Sequence, residues 1–128
     1  SEIIAIIIPA NYRGKGIEFF TPDTFSQQMG YMCHPKGYKI APHIHNDVPR
    51  IINYTQEVLI IKEGLVEVSL FTNKKEFICK RLLRSGDIIL LANGGHSFEM
   101  FEETSMIEIK QGPYIGKKDK TRFKIGQK

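Results

Sequence analysis

Apolar residues along this chain occur in short runs rich in β-branched side chains, separated by turn residues. Almost no stretch has the helical period of about 3.6 residues, whereas the runs are of strand length. The intervening sequences, such as Glu63-Gly64 and Asn93-Gly94-Gly95, have good turn chemistry. Many short strands at this spacing predict an all-β sandwich or small barrel. The predicted strands are residues 3–8, 17–20, 27–33, 38–41, 57–62, 65–71, 77–83, 88–92, 97–101 and 105–110.

The length of 128 residues predicts a single domain that buries about two-thirds of its unfolded surface. No internal repeat, linker or low-complexity segment divides it. We expect residues 1–36 to supply N-terminal strands and a possible dimer interface, and residues 37–110 to form a barrel with the functional site. Residues 111–128 are expected to be a basic tail.

The predicted strand at 57–62 has apolar residues on both of its faces. Alternate side chains of a strand project to opposite sides, so Glu57 shares a face with Leu59 and Ile61. Val58 and Ile60 lie on the other face and also need cover. A partner subunit is the simplest cover, with residues 3–8 as the strand added at the interface. The pattern therefore predicts a homodimer.

Charge and cysteine content limit the classes of partner and compartment. Lys and Arg number 18 against 14 Asp and Glu, which gives a net charge of +4. Much of this excess lies in the C-terminal tail without a recognised nucleic-acid module, so we predict no nucleic-acid partner. Two cysteines are too few for a disulfide scaffold. With no apolar run near ~20 residues and no basic start before the first isoleucines, the sequence predicts a cytoplasmic protein without a membrane partner.

Three imidazoles and one carboxylate stand near turn glycines in this β-rich chain. Side chains of these types can together hold a divalent metal ion, and the set suits Fe, Mn, Co, Ni or Zn. Residues two apart on a strand share a face, so the first two histidines are expected to point together. The candidate ligands are His43, His45, Glu57 and His96.

The spacing of these residues resembles the two conserved motifs of the cupin superfamily. The stretch similar to the first motif begins at Gly37 and continues, after five residues, with His43-Ile44-His45. It ends with Glu57, six further residues and Gly64. The stretch that resembles the second motif begins at Gly86 and continues, after five residues, with Ala92-Asn93-Gly94-Gly95-His96. The match covers roughly residues 37–100. Eleven residues separate His45 from Glu57, where cupins usually have three or four, and Ala92 replaces a common proline.

The cupin resemblance implies a double-stranded β-helix, or jelly-roll, barrel with these four residues as its metal ligands. A narrower resemblance lies at 107–114 with Asp119-Lys120, which is similar to small cupin metalloproteins including the WbuC-like group. That group occurs among bacterial surface-polysaccharide and nucleotide-sugar genes. The resemblance therefore implies a setting in polysaccharide biosynthesis, although it does not name a substrate.

The identity of the metal separates a reactive site from a structural one. Four protein ligands leave two open positions on six-coordinate iron, manganese or nickel, whereas on tetrahedral zinc they leave none. Arg50 could hold a carboxylate or phosphate, and Tyr54 could bond a sugar hydroxyl. The alternatives are that Arg50 is a solvated loop residue and that Tyr54 serves in packing.

Three functions remain open from the sequence. The first is a metal-dependent enzyme acting on a small polar molecule such as a sugar or nucleotide sugar. The second is a non-catalytic binding or regulatory module with the same metal pocket. The third is a metal-free sugar isomerase or epimerase in which His45 or His96 acts as a general base.

Overall fold

The computed structural model describes residues 2–126, and it confirms the prediction of an all-β fold. One short 3₁₀ helix, Gly116–Asp119, follows the last strand. No helix in residues 2–126 is long and apolar enough to cross a membrane. The strands are β1 Ala5–Ile8, β2 Gly16–Phe19, β3 Gly30–Cys33, β4 Glu57–Glu63, β5 Leu65–Phe71, β6 Phe77–Arg84, β7 Ile88–Leu91, β8 Gly95–Met100 and β9 Ser105–Lys110.

The strands form three antiparallel sheets. The first sheet has the order β1-β7-β4-β9, the second has the order β6-β5-β8, and β2 and β3 form a separate hairpin. Over the described chain these sheets do not join into a closed barrel. The strands β8 and β9 each lie at the edge of their sheet.

The main core lies between the first and second sheets. Strict alternation along β4 directs Leu59 and Ile61 inward, where they pack with Val66 and Val68 of β5. Ile61, Val66 and Val68 are completely buried. Burial of one such aliphatic side chain contributes about 1.5–3 kcal/mol, so this interface holds the two sheets face to face.

The opposite face of the first sheet is covered by the chain itself. Val58 packs against a second buried cluster built from Met29, Leu90 and Ala92, with Phe25 beside it. Strand β1 pairs with β7 of the same chain, in the register Ala5↔Leu91 to Ile8↔Ile88. Strand β1 lies at an edge of the first sheet, so the expectation that residues 3–8 add a strand at a subunit interface stays a prediction.

Between β3 and β4 the chain has no strand, so the prediction of a strand at 38–41 is also wrong. Residues 35–55, here called the exposed segment, are all exposed. Pro35, Pro42 and Pro49 lack an amide hydrogen and interrupt any strand ladder at intervals of seven residues. Tyr38 and Ile40 alternate as in a strand but have no neighbouring strand to bond.

Candidate metal site and its cavity

Glu57 and His96 meet between the two main sheets. Glu57 begins β4, opposite Leu91 and Lys110, and His96 is the second residue of β8, opposite Leu70. Glu57 shares the inner face of β4 with buried Leu59 and Ile61, and His96 shares a face of β8 with Phe98, which packs against the core. His96 Nε2 lies 2.9 Å from Glu57 Oε1. The side chains are 34% and 13% exposed, so the pair borders solvent on the His96 side.

A glycine turn sets the position of His96. Gly94 has a φ of +76°, and a Cβ atom at this position would lie 2.1 Å from the carbonyl oxygen of Phe71. Only glycine fits both the left-handed conformation and this close backbone approach. The Asn93 side chain accepts a hydrogen bond from the Gly94 amide at 2.9 Å. The turn expected at 93–95 thus fixes where β8 begins and where His96 points.

A buried amide fixes the start of β4. Gln56 is 2% exposed, and its Oε1 accepts hydrogen bonds from the Gln27 amide at 3.1 Å and the Ser26 hydroxyl at 3.4 Å. Its Nε2 donates to the carbonyl oxygen of Ala92 at 3.4 Å. Sequence reasoning missed Gln56, and the only signal was a polar residue directly before a candidate ligand.

Electrostatics favour an ionised Glu57. The hydrogen bond from His96 lowers the pKa of Glu57 to about 2, against a smaller upward effect of burial and with further help from Glu108. The pKa of Glu108 is raised, first by its hydrogen bond with Glu57 and then by burial. Glu108 was missed by the sequence reasoning. Glu108 lies on β9 opposite Leu59 of β4, so the inward direction of its side chain follows only once the pairing of these two strands is known.

The other two predicted ligands lie apart from this pair. His43 and His45 are on the exposed segment, with ring centroids 5.4 Å apart in an edge-on arrangement. His43 Nδ1 lies 2.9 Å from the carbonyl oxygen of Ala41. The two imidazoles are neighbours as expected, although no strand holds them. In the chain from 2 to 126, no group of three or more His, Cys, Asp or Glu side chains could hold a metal ion.

The two predicted substrate contacts have different surroundings. Arg50 lies within the exposed segment, and its side chain is open to solvent. The Tyr54 hydroxyl donates a hydrogen bond to the carbonyl oxygen of Thr24 at 2.8 Å. Tyr54 also lines a cavity of about 400 Å³ together with Phe25 and Gln56. The structure therefore brings neither residue to the Glu57 and His96 pair.

A cavity of about 560 Å³ lies beside Glu57 and His96. Its outer wall is the C-terminal segment, which contributes Lys120, Arg122 and Phe123. Phe123 holds this wall in place, because its ring packs edge-on against Phe71 with 5.2 Å between centroids. Part of the predicted basic tail thus covers the site, and nothing in its sequence pattern had indicated this.

The pocket combines an ionised carboxylate and an imidazole with cationic side chains at its rim. Such groups can bind a metal ion, exchange a proton or hold an anionic ligand. Comparison with family models, with curated proteins and with solved structures gives no match for this chain.

Proposed function

We propose that this protein is a metal-binding cupin, with a double-stranded β-helix architecture, that binds or acts on a small polar molecule such as a sugar or nucleotide sugar. The metal is a divalent Fe, Mn, Ni or Zn ion, held by His43, His45, Glu57 and His96. The observation that carries the proposal is the 2.9 Å approach of His96 to Glu57 beside a cavity of ligand size. Two antiparallel sheets packed on a shared apolar core support the same architecture.

Glu57 and His96 fit a metal ion in both chemistry and spacing. The low pKa of Glu57 keeps its carboxylate ionised at neutral pH, which is the state that binds cations. Two donor atoms bound at about 2.1 Å and at right angles lie roughly 3 Å apart, close to the observed separation. When bound, the ion would supply Lewis acidity to a carbonyl or hydroxyl group. Glu108, on the neighbouring strand β9, further lowers the pKa of Glu57.

The walls of the cavity favour an anionic ligand. Lys120 and Arg122 line it, and a guanidinium is suited to grip a phosphate or carboxylate through two parallel hydrogen bonds. Thr55, Asn93 and Ser97 add neutral polar groups that can bond sugar hydroxyls. A phosphorylated or nucleotide-linked sugar matches both kinds of group.

Elemental analysis tests the metal directly. Protein purified without a histidine tag and reconstituted with iron, manganese, nickel or zinc should bind about one ion per chain with one of them. His96→Ala should lower the affinity for this ion by roughly 10-fold or more, whereas His34→Ala should leave it unchanged because His34 stacks on Tyr38 outside the pair. Sub-stoichiometric binding of all four ions would contradict the proposal.

The pH dependence of occupancy tests histidine ligation separately. Ligating imidazoles must be deprotonated, so occupancy should fall as the pH drops through about 6.5. Occupancy that stays constant down to about pH 4 would exclude histidine ligands.

Ligand assays distinguish an enzyme from a binding protein. Nucleotide sugars should raise the unfolding temperature of the metal-loaded protein by mass action. Arg122→Ala should reduce this shift, whereas Arg81→Ala should not, because Arg81 lies on β6 and bonds the carbonyl oxygen of Lys80. Turnover of a panel compound favours the enzyme, and stabilisation without turnover favours the binding module. Turnover by fully metal-free protein would support the isomerase alternative.

A further inference from the structure

One wall of the larger cavity is a strand-free piece of the C-terminal segment. Residues 119–123, here called the strap, line this wall. At one end of the strap, the Thr55 hydroxyl donates a hydrogen bond to the Asp119 carboxylate. At the other end, the Phe123 ring packs edge-on against Phe71. Within the part of the chain that the structure describes, no backbone–backbone hydrogen bond joins the strap to either main sheet. Side chains at its two ends therefore fix it.

Phe123 is the apolar anchor of the strap. It is half-buried, whereas residues 120–122 are exposed. Its ring lies so close to Gly95 that a Cβ atom there would be only 3.1 Å away. Lys75 Nζ lies 5.9 Å from the centroid of the ring, a distance at which an ammonium is attracted to an aromatic face. The bare backbone of Gly95 and the ring of Phe71 thus form a seat for this anchor.

The lysine and arginine side chains that line the cavity in the described chain both belong to the strap. They are Lys120 and Arg122, whereas the sheets contribute the ionised carboxylate of Glu57. A carboxylate repels an anion at short range unless cations compensate for its charge. Asp119 is also on the strap, but its carboxylate is bonded to the Thr55 hydroxyl. The affinity of the cavity for an anion therefore depends on the strap being in place.

We propose that Phe123 is a positioning residue that seats the strap, and that an anion bound by Lys120 and Arg122 in turn holds the strap closed over the cavity. This inference rests on the proposed anionic ligand and adds how the cavity admits and retains it. Coupling between two equilibria is reciprocal, so if a seated strap raises the affinity for the anion, the anion raises the seated fraction. Two cations on one short segment suit a diphosphate or a similar group with more than one negative charge.

Digestion with chymotrypsin reports on the seat of Phe123, because this protease needs the aromatic side chain in its own specificity pocket. Inorganic pyrophosphate, used as the probe, should slow cleavage after Phe123 about 10-fold at about ten times its dissociation constant, because cleavage follows the open population. Cleavage after Tyr38, which is 56% exposed on the exposed segment, should not change. Mass spectrometry of the fragments measures both rates. An unchanged rate after Phe123 with pyrophosphate bound overturns the coupling.

Calorimetric titration with pyrophosphate separates the anchor from general packing. Phe123→Ala should leave the strap seated in a minority of molecules and weaken binding by about 10-fold, because the apparent affinity scales with the seated fraction. Phe123→Leu keeps an apolar anchor and should recover most of the affinity. Phe77→Ala is the matched control, since Phe77 also packs edge-on against Phe71, at 5.9 Å between centroids, but lies on β6 away from the strap. It should bind pyrophosphate as the wild type does, and circular dichroism checks that each variant is folded.

The outcomes separate this inference from the proposed function. If Arg122→Ala weakens pyrophosphate binding but Phe123→Ala binds as tightly as the wild type, the anionic site stands and the inference is overturned. Equal losses in Phe123→Ala and Phe77→Ala also overturn it, because packing around Phe71 rather than the strap then controls binding. If the wild type binds no pyrophosphate, the proposed anionic ligand fails and the inference fails with it, while elemental analysis still decides the metal.

Discussion

Replacing Gln56 with alanine tests whether burial makes this amide important to the site. The wild-type side chain makes three hydrogen bonds, to the Gln27 amide, the Ser26 hydroxyl and the Ala92 carbonyl, at 2% exposure. Alanine leaves these partly buried or buried partners without Gln56, whose own side chain is almost completely shielded from solvent. An unsatisfied buried donor or acceptor costs about 1–3 kcal/mol, so we expect a loss of roughly 2–4 kcal/mol in the free energy of unfolding.

Gln28 provides a matched control for this loss. It also makes three hydrogen bonds, from the Thr21 hydroxyl to its Oε1 and from its Nε2 to the carbonyl oxygens of Pro22 and Phe25, but it is exposed. Water can replace an exposed side chain, so Gln28→Ala should cost about 1 kcal/mol or less. The two variants thus have the same change in bond number and differ in burial.

Urea denaturation followed by circular dichroism measures both free energies of unfolding. Gln56→Ala should also weaken metal binding, because Gln56 fixes the residue before Glu57. Equal losses in the two variants, or a larger loss for Gln28→Ala, would refute the reasoning from burial.

Further predictions concern the turn before β8 and the charge of Glu57. Gly94→Ala should lower the free energy of unfolding by about 2 kcal/mol or more, because it adds a clash with the Phe71 carbonyl to the strain of a positive φ. Gly37→Ala, at a φ of +87° with open space around it, should lower it by only about 1 kcal/mol in the same denaturation assay. His96→Gln should raise the pKa of Glu57 above about 2 in metal-free protein, as measured by carboxyl NMR titration, because it removes the largest cause of the lowered value. Since Glu57 has a lowered pKa, its contribution to stability is present above about pH 4.5 and is lost as the pH falls towards 2, and this acid-side loss should shrink in His96→Gln. An unchanged Glu57 titration would show that His96 does not control the carboxylate.

Local pattern was sufficient to predict most of the strands. Runs such as Leu65–Phe71 and Ile88–Leu91 are bounded by turn residues, and their β-branched and aromatic content agrees with their buried positions. The pairing of Glu57 with His96 also follows in part from alternation, since each shares a face with a residue of its own strand that packs in or against the core. The glycine at 94 was expected as a turn, and its φ confirms that expectation.

Features that depend on distant parts of the chain could not be predicted in this way. Glu108 reaches Glu57 only through the pairing of β9 with β4, and Arg122 lines the cavity only because Phe123 packs on Phe71. The cover of Val58 by the cluster that contains Met29 is likewise a long-range contact that no local pattern indicates. The exposed segment shows the opposite case, where alternation at Tyr38 and Ile40 predicted a strand that has no neighbour.

The single residue between β4 and β5 has a mechanical consequence for the site. At Gly64, which has a φ of +109°, the chain crosses from the first sheet to the second, and a Cβ atom there would lie 2.5 Å from the carbonyl oxygen of Glu103. This corner ties the two sheets together at one end, while Glu57 and His96 lie near the opposite ends of β4 and β5, roughly 20 Å away at about 3.3 Å per residue. The separation of Glu57 and His96 is therefore sensitive to the angle between the sheets, because a change of about 3° at Gly64 would alter it by roughly 1 Å. The close-packed core between the two sheets resists such a rotation and so holds the two side chains at their distance.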